Sequence, residues 1–252
     1  MNVESNPKRF RPNDNGSSST VVNLAQGGPT NKMKLFPFTD RVPEGQRLDE
    51  LRKAIFTITG ETFSSKLPGP LPHTLTRATL PTVLNNEYWV CEKSDGIRAM
   101  MYSDNTGSYL VDRCCDFHKI RDQTGIFSLL APKGPTLVDG EVIVNYFDPE
   151  VDTYQTAKEA CARYESVDAF EKENENKKKK YILCVFDTIQ INGEPCVQRP
   201  LLDRLKGVAF VKQTILKTLE RRPDIKEEDL PLRVESKMFR RAQEYVHPSI
   251  PV

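Results

Sequence analysis

Lys93-Ser94-Asp95-Gly96-Ile97-Arg98 sets a potential nucleophile, an acid, a glycine and a permanent cation in one short run, with Glu92 directly before it. An amine that attacks a nucleotide phosphate needs a free lone pair, cations on the phosphate oxygens, and in-line geometry. A free lysine titrates near ~10.4 and is almost wholly protonated at neutral pH. Lys93 therefore requires nearby positive charge or partial burial to expose its lone pair, and Arg98 is a candidate source of that charge. Gly96 reads as the residue that lets the backbone turn, and Asp95 as the group that shapes the surroundings of the lysine. The plainer alternative is a charged β-hairpin whose Asp-Gly pair reverses the chain.

Other residues could join this run. Asp139-Gly140-Glu141 lies inside the apolar stretch Thr136–Val144, where a charge is costly unless it has a partner, and that cost makes Glu141 a site candidate. Its alternative is a bulged edge strand with a solvated carboxylate. Arg113, after Leu110-Val111-Asp112, stands at the end of a strand-like run, and a guanidinium can fork onto phosphate oxygens as an ammonium cannot. Phe186-Asp187 sits in the most apolar run, Tyr181–Ile189, where Phe186 taken alone reads as core. His73, His118 and His247 form no triad or metal spacing, and the run Lys177–Lys180 reads as solvent-facing.

Those residues must be held by surrounding elements. Tyr88–Cys91 and Ala99–Tyr102 read as strands on either side of the lysine run, and Gly107–Arg113 as a turn followed by a strand. Leu48, Leu51, Ile55 and Phe56 recur at helical spacing until Gly60. Pro68, Pro70, Pro72 and nearby Pro81 impose an extended, helix-free approach to the motif. Residues 153–171 read as a helix, and Leu201–Leu219 as a long amphipathic one, with Leu202, Leu205, Val208, Val211, Ile215 and Leu219 inward and Pro223 as its stop. Pro231–Met238 reads as a further strand. Strands outnumber helices and are joined largely by short turns, which predicts an α+β fold with mainly antiparallel sheets. No glycine-rich phosphate loop of either common kind is present.

At 252 residues the chain can bury one sizeable core. A hydrophobic content of 38% and 18 prolines predict that part of it is unpacked, and residues 1–40 read as a disordered leader before a domain spanning 41–252. A net charge of +1 provides no global attraction to nucleic acid, so any RNA contact must come from a local surface. The six cysteines have no metal-type spacing, and Cys91 and Cys184 read as small core residues in an intracellular protein. No signal peptide or membrane-spanning run is visible.

The pattern Lys93-x-Asp95-Gly96-x-Arg98 resembles the first motif of the covalent nucleotidyltransferases, the ATP-dependent polynucleotide ligases and mRNA capping guanylyltransferases. Glu92 and the upstream Leu67-Pro68-Gly69-Pro70-Leu71-Pro72 look more like the capping branch, especially its fungal type. The resemblance implies twisted antiparallel sheets around a nucleotide cleft, in an ATP-grasp-like nucleotidyltransferase domain. It implies Lys93 as the catalytic residue that attacks the α-phosphate of GTP, and nucleotide contacts from Glu92, Arg98, Arg113, Glu141 and Phe186, the last by stacking on the purine. Glu141 and Asp187 would serve a metal, Mg²⁺ or Mn²⁺. GMP would then pass to a diphosphate RNA 5′ end, in the nucleus. No Cys-x₅-Arg phosphatase signature is recognised, so a separate RNA triphosphatase subunit is expected as a partner, beside the C-terminal tail of RNA polymerase II. The lysine-rich motif and OB-fold of the family are not found after Phe186, so the domain is expected to be incomplete at its C-terminus. The alternatives are an ATP-dependent DNA or RNA ligase, or a non-catalytic nucleotide- or RNA-binding module.

Overall fold

The computed structural model describes residues 36–70, 73–148, 153–156 and 178–242. Its frame is a sheet of β1 (Thr39–Arg41), β3 (Ile97–Asp104), β4 (Gly107–Val111), β5 (Phe117–Ile120), β6 (Thr136–Asp148), β8 (Lys179–Ile191) and β10 (Arg233–Ser236). The spatial order is β1-β5-β4-β3-β6-β8-β10, with β7 (Thr153–Thr156) paired to β6 and β9 (Glu194–Pro195) to β8. Neighbours run antiparallel except β10, which joins β8 in parallel. The expected α+β, mainly antiparallel architecture is what the chain adopts.

Alternation along the strands builds a core on both faces of this sheet. On one face Ala99, Met101, Leu110, Val138 and Val185 pack with Val208, Val211 and Ile215 of the long helix Leu201–Arg221, called α3 because a short helix α2 (Leu80–Asn85) precedes it. On the other face Met100, Tyr102, Tyr109, Val111 and Leu137 receive α1 (Gln46–Thr59) through Leu48, Leu51, Ile55 and Phe56. Gly60 then ends α1 in the left-handed conformation and donates its N–H to the Phe56 carbonyl. Burial on both sides explains why β3 reads as an unbroken apolar run.

Several expectations shift. The approach to the lysine motif is not helix-free: Pro81 sits in the first turn of α2, where its missing N–H costs no helical bond. Phe36 is fully buried and β1 starts at Thr39, so the fold begins before residue 40. Thr153–Thr156 is a strand where a helix was expected, and the rest of that segment lies outside the described residues. Leu202 is exposed rather than inward on α3. Cys91 is exposed, not core. The strand before the lysine motif, β2 (Trp89–Cys91), does not form a hairpin with β3. It pairs instead with β11 (Phe239–Arg241) in a separate two-stranded ribbon.

Candidate active site

Along the α1-facing side of β3, residues step from Tyr102 through Met100 to Arg98; along β6 they step from Leu137 through Asp139 to Glu141. The same sheet face thus passes from apolar core into charge where the cover of α1 ends. Arg98 stands opposite Glu141 in the register, but its guanidinium forks diagonally onto Asp139, with Nε donating to Oδ1 at 3.2 Å and Nη2 to Oδ2 at 2.7 Å. Its Nη1 donates to the Pro70 carbonyl at 3.0 Å. The two side chains are only 17% and 5% exposed. Burial pushes the Asp139 carboxyl upward while the Arg98 fork opposes that shift, and the same fork raises Arg98.

Glu141 is the hub of the open part of this face. Its Oε1 accepts the Gly96 N–H at 3.1 Å, and its Oε2 accepts from Lys237 Nζ at 3.2 Å. Lys237, which follows β10 and whose side chain is 11% exposed, also holds its ammonium 5.6 Å from the centre of the Phe186 ring. Phe186 owes its position to a β-bulge: Asp139 pairs with Asp187 and Gly140 with Val185, so Phe186 has no partner on β6. A bulge re-aims one side chain while the ladder continues on both sides. β6 itself runs unbroken from Thr136 to Asp148; the extra residue lies on β8, and β6 is a central strand whose carboxylates are paired, so the bulged edge strand with a solvated carboxylate is not what forms.

Gly96 meets a different demand from the one the sequence suggested. A Cβ there would stand 2.4 Å from the Val142 carbonyl oxygen and 3.0 Å from Glu141 Cγ, so the residue is needed for close approach to β6. Lys93, 86% exposed, lies beyond this contact with its Nζ 2.5 Å from Asp95 Oδ1. That bond, then the charge of Asp95 and that of Glu141, raises the lysine's pKa. The surroundings thus favour the ammonium form, opposite to what a nucleophile needs. Arg98 supplies no relief because its charge is committed to Asp139.

The remaining sequence candidates lie around this centre. Glu92 is exposed just after β2, and Arg113 projects from the β4–β5 loop. Asp187 has both oxygens in the fork of Arg204 from α3, at 2.7 and 3.0 Å, which leaves it poorly suited to hold a metal. Among the described residues no cluster of three His, Cys, Asp or Glu side chains is placed to hold a metal ion. Both Glu141 oxygens are likewise engaged, by the Gly96 N–H and by Lys237 Nζ, so Glu141 would serve Mg²⁺ as a lone protein carboxylate only if the Lys237 bond opened.

Sequence reasoning missed Lys237 and the His118–Asp112 pair, 3.0 Å apart, because each joins residues that no local pattern connects. It also missed a Cys-x₅-Arg spacing at Cys115–Arg121. The structure removes its chemical meaning. Cys115 is fully buried with its thiol pushed up to about 11 by that burial, and strand β5 lies between it and Arg121, which donates to the Pro37 carbonyl. In the lysine run, Lys178 pairs with Glu228 and Lys179 sits over the Tyr146 ring, while Lys177 lies outside the described residues.

An α+β domain that sets an exposed lysine, a carboxylate hub and an upturned aromatic ring at one end of a covered sheet has the make-up of a nucleotide-handling domain. Residues 38–164 match the family described as mRNA capping enzyme, catalytic domain, and the chain belongs to that family. It is 33% identical over 104 residues to the mRNA-capping enzyme subunit alpha of Neurospora crassa, an overlap of 38% of this chain and 26% of that protein. The chain thus spans about a quarter of the length of this curated relative. Among solved structures it is similar to a mycobacterial DNA ligase D complexed with ATP and MES. That likeness covers 59% of this chain and 40% of the other at 16% identity and a TM-score of 0.30, too loose a superposition to assign substrate.

Proposed function

We propose that this chain carries the guanylyltransferase chemistry of mRNA capping, with Lys93 as the nucleophile. The observation that carries the reading is the convergence of Gly96, Glu141, Lys237 and Phe186 beside that lysine within a capping-family domain. The purine of GTP stacks on Phe186, an interaction worth about 1–3 kcal/mol for a base on an aromatic ring. Lys237 stands next to that ring and adds a donor at the edge of the base or a cation for the phosphates. Glu141 faces the ribose or the metal; Glu92, Arg98 and Arg113 border the nucleotide.

The lysine must shed a proton before it reacts, and the entering nucleotide has to break its bond to Asp95. Lys93 Nζ then attacks the α-phosphorus, a P–N bond forms, the α–β bridging P–O bond breaks, and pyrophosphate leaves with the bonding pair. Mg²⁺ or Mn²⁺, when bound, supplies charge neutralisation on the phosphates. GMP passes from the lysine to a diphosphate RNA 5′ end. The wider setting follows the same reading: a nuclear enzyme acting with a separate RNA triphosphatase and the polymerase II tail.

Incubation with α-labelled GTP and Mg²⁺ tests this reading. A covalent label on the wild-type chain that disappears in Lys93→Ala supports it. Labelling from ATP in preference to GTP moves the assignment to a ligase, and nucleotide binding with no label leaves a binding module.

A further inference from the structure

Arg113 is exposed, and no side-chain bond holds it among the described residues, yet the loop that carries it is among the most heavily tied segments of the fold. The Asp112 carboxylate organises that loop. Its Oδ1 accepts the N–H groups of Cys114 and Asp116 at 2.8 and 3.0 Å, and its Oδ2 lies 3.0 Å from His118 Nε2. The Asp112 main chain closes the same loop: its carbonyl accepts Cys115 N–H at 3.0 Å, and its N–H donates to the Asp116 carbonyl at 3.1 Å. Cys115 is held at φ 58, an uncommon conformation for a residue with a Cβ, which persists only where its surroundings over-determine it.

Neighbouring elements brace the loop from outside. Arg52 of α1 donates to the Cys115 carbonyl at 3.1 Å and to Asp116 at 2.9 Å, and Arg41 of β1 reaches Asp116 at 2.8 Å. His118 is itself buried against Phe36, edge to face with ring centres 5.2 Å apart. One further bond points this assembly toward the site: the Leu67 N–H donates to the Arg113 carbonyl at 3.1 Å. Leu67 is buried, and three residues further along Pro70 accepts from Arg98. Three residues of extended chain span at most ~11 Å, so the Arg113 loop is moored within side-chain reach of the Arg98 end of the site.

We propose that Asp112, buttressed by His118, is a positioning residue that aims Arg113 at the phosphates of the bound nucleotide. The inference rests on the reading of Arg113 as a nucleotide contact. Asp112 touches no substrate on this account; it fixes the backbone from which the guanidinium projects, so that less freedom is lost when Arg113 closes on phosphate. A loop this rigid around a side chain this free is what such a role requires.

Calorimetric titration of the full chain with MgGTP tests the coupling. Arg113→Ala is expected to weaken binding about 10- to 100-fold, the loss of one charge-assisted bond to phosphate. Asp112→Ala should weaken it about 10-fold, and the double variant should bind no worse than Arg113→Ala alone, because the two act as one unit. His118→Gln, which retains a donor at the Nε2 position, should bind like wild type, whereas His118→Leu should follow Asp112→Ala. If Asp112→Ala does not fold, the two His118 variants decide the matter. Unchanged binding in Asp112→Ala beside a weakened Arg113→Ala, losses that multiply in the double variant, or equal binding by the two His118 variants would overturn the positioning role alone. Wild-type binding by Arg113→Ala, or no MgGTP binding by the wild-type chain, overturns the underlying nucleotide-contact reading as well.

Discussion

Lys93 rests as an ammonium ion against Asp95, the opposite of the poised amine that the proposed attack on GTP demands. Since the Asp95 bond is the main cause of the raised pKa, Asp95→Asn should move the titration of Lys93 to lower pH. The sign is fixed: removing a negative neighbour destabilises the protonated form. Competitive amine labelling across the alkaline range, read by mass spectrometry at Lys93, measures it, and an unmoved midpoint would show that the pair is not populated in solution. Arg98 and Asp139 make the second prediction at this scale. Their pair is nearly sealed from water, so Arg98→Ala strands a buried carboxylate and should cost about 3–5 kcal/mol in urea unfolding. Replacing both with leucine should recover most of that loss. If Arg98→Ala costs less than about 1 kcal/mol, the behaviour of an exposed pair, the fork is not what holds Asp139 in place.

At the scale of elements, Gly96 decides how closely the lysine loop approaches β6. Gly96→Ala places a Cβ 2.4 Å from the Val142 carbonyl, so the loop must move away from Glu141. The expected result is about 1–3 kcal/mol of destabilisation and a strong loss of covalent labelling. Full labelling by that variant would show that the contact between Gly96 and Glu141 is dispensable. The elements also show where a sequence can be read. The helix α1 was legible because Leu48, Leu51, Ile55 and Phe56 recur at its own period, and all four are buried. Glu141 was legible as a charge in an apolar run that needs a partner, and Gly96 and Lys237 supply two. Lys237 was not, because its meaning comes from Glu141 on another strand and from a bulge that turns Phe186 toward it. Arg98 was misjudged for a related reason. The pattern gives its spacing from Lys93, but only the register with β6 shows that Asp139 holds its charge.

Across the whole molecule one sheet is shared by two cores, and this sets how damage spreads. Leu51→Ala on the α1 side and Ile215→Ala on the α3 side should each cost about 2–5 kcal/mol. Because β3 and β6 contribute to both clusters, each variant should shift a single cooperative unfolding transition without splitting it. Two separate transitions in circular dichroism, one shifted by Leu51→Ala and the other by Ile215→Ala, would mean that the two layers fold independently. The net charge of +1 belongs to this scale too. With so little overall field, any association with RNA would depend on local contacts rather than long-range steering.

The ribbon of β2 and β11 has a consequence for the order in which the protein can become competent. Trp89 meets Arg241 and Cys91 meets Phe239, so the strand leading into Lys93 finds its partner about 150 residues later in the chain, a closure that carries its own entropic cost. During synthesis, the large sheet and both helix layers can assemble once β10 has emerged, while the lysine still lacks its second strand. Folded and loaded are then distinct milestones in the life of the polypeptide. A released chain cut between Ser236 and Phe239 would keep every strand of the large sheet and both helix layers while leaving the strand before Lys93 without its partner.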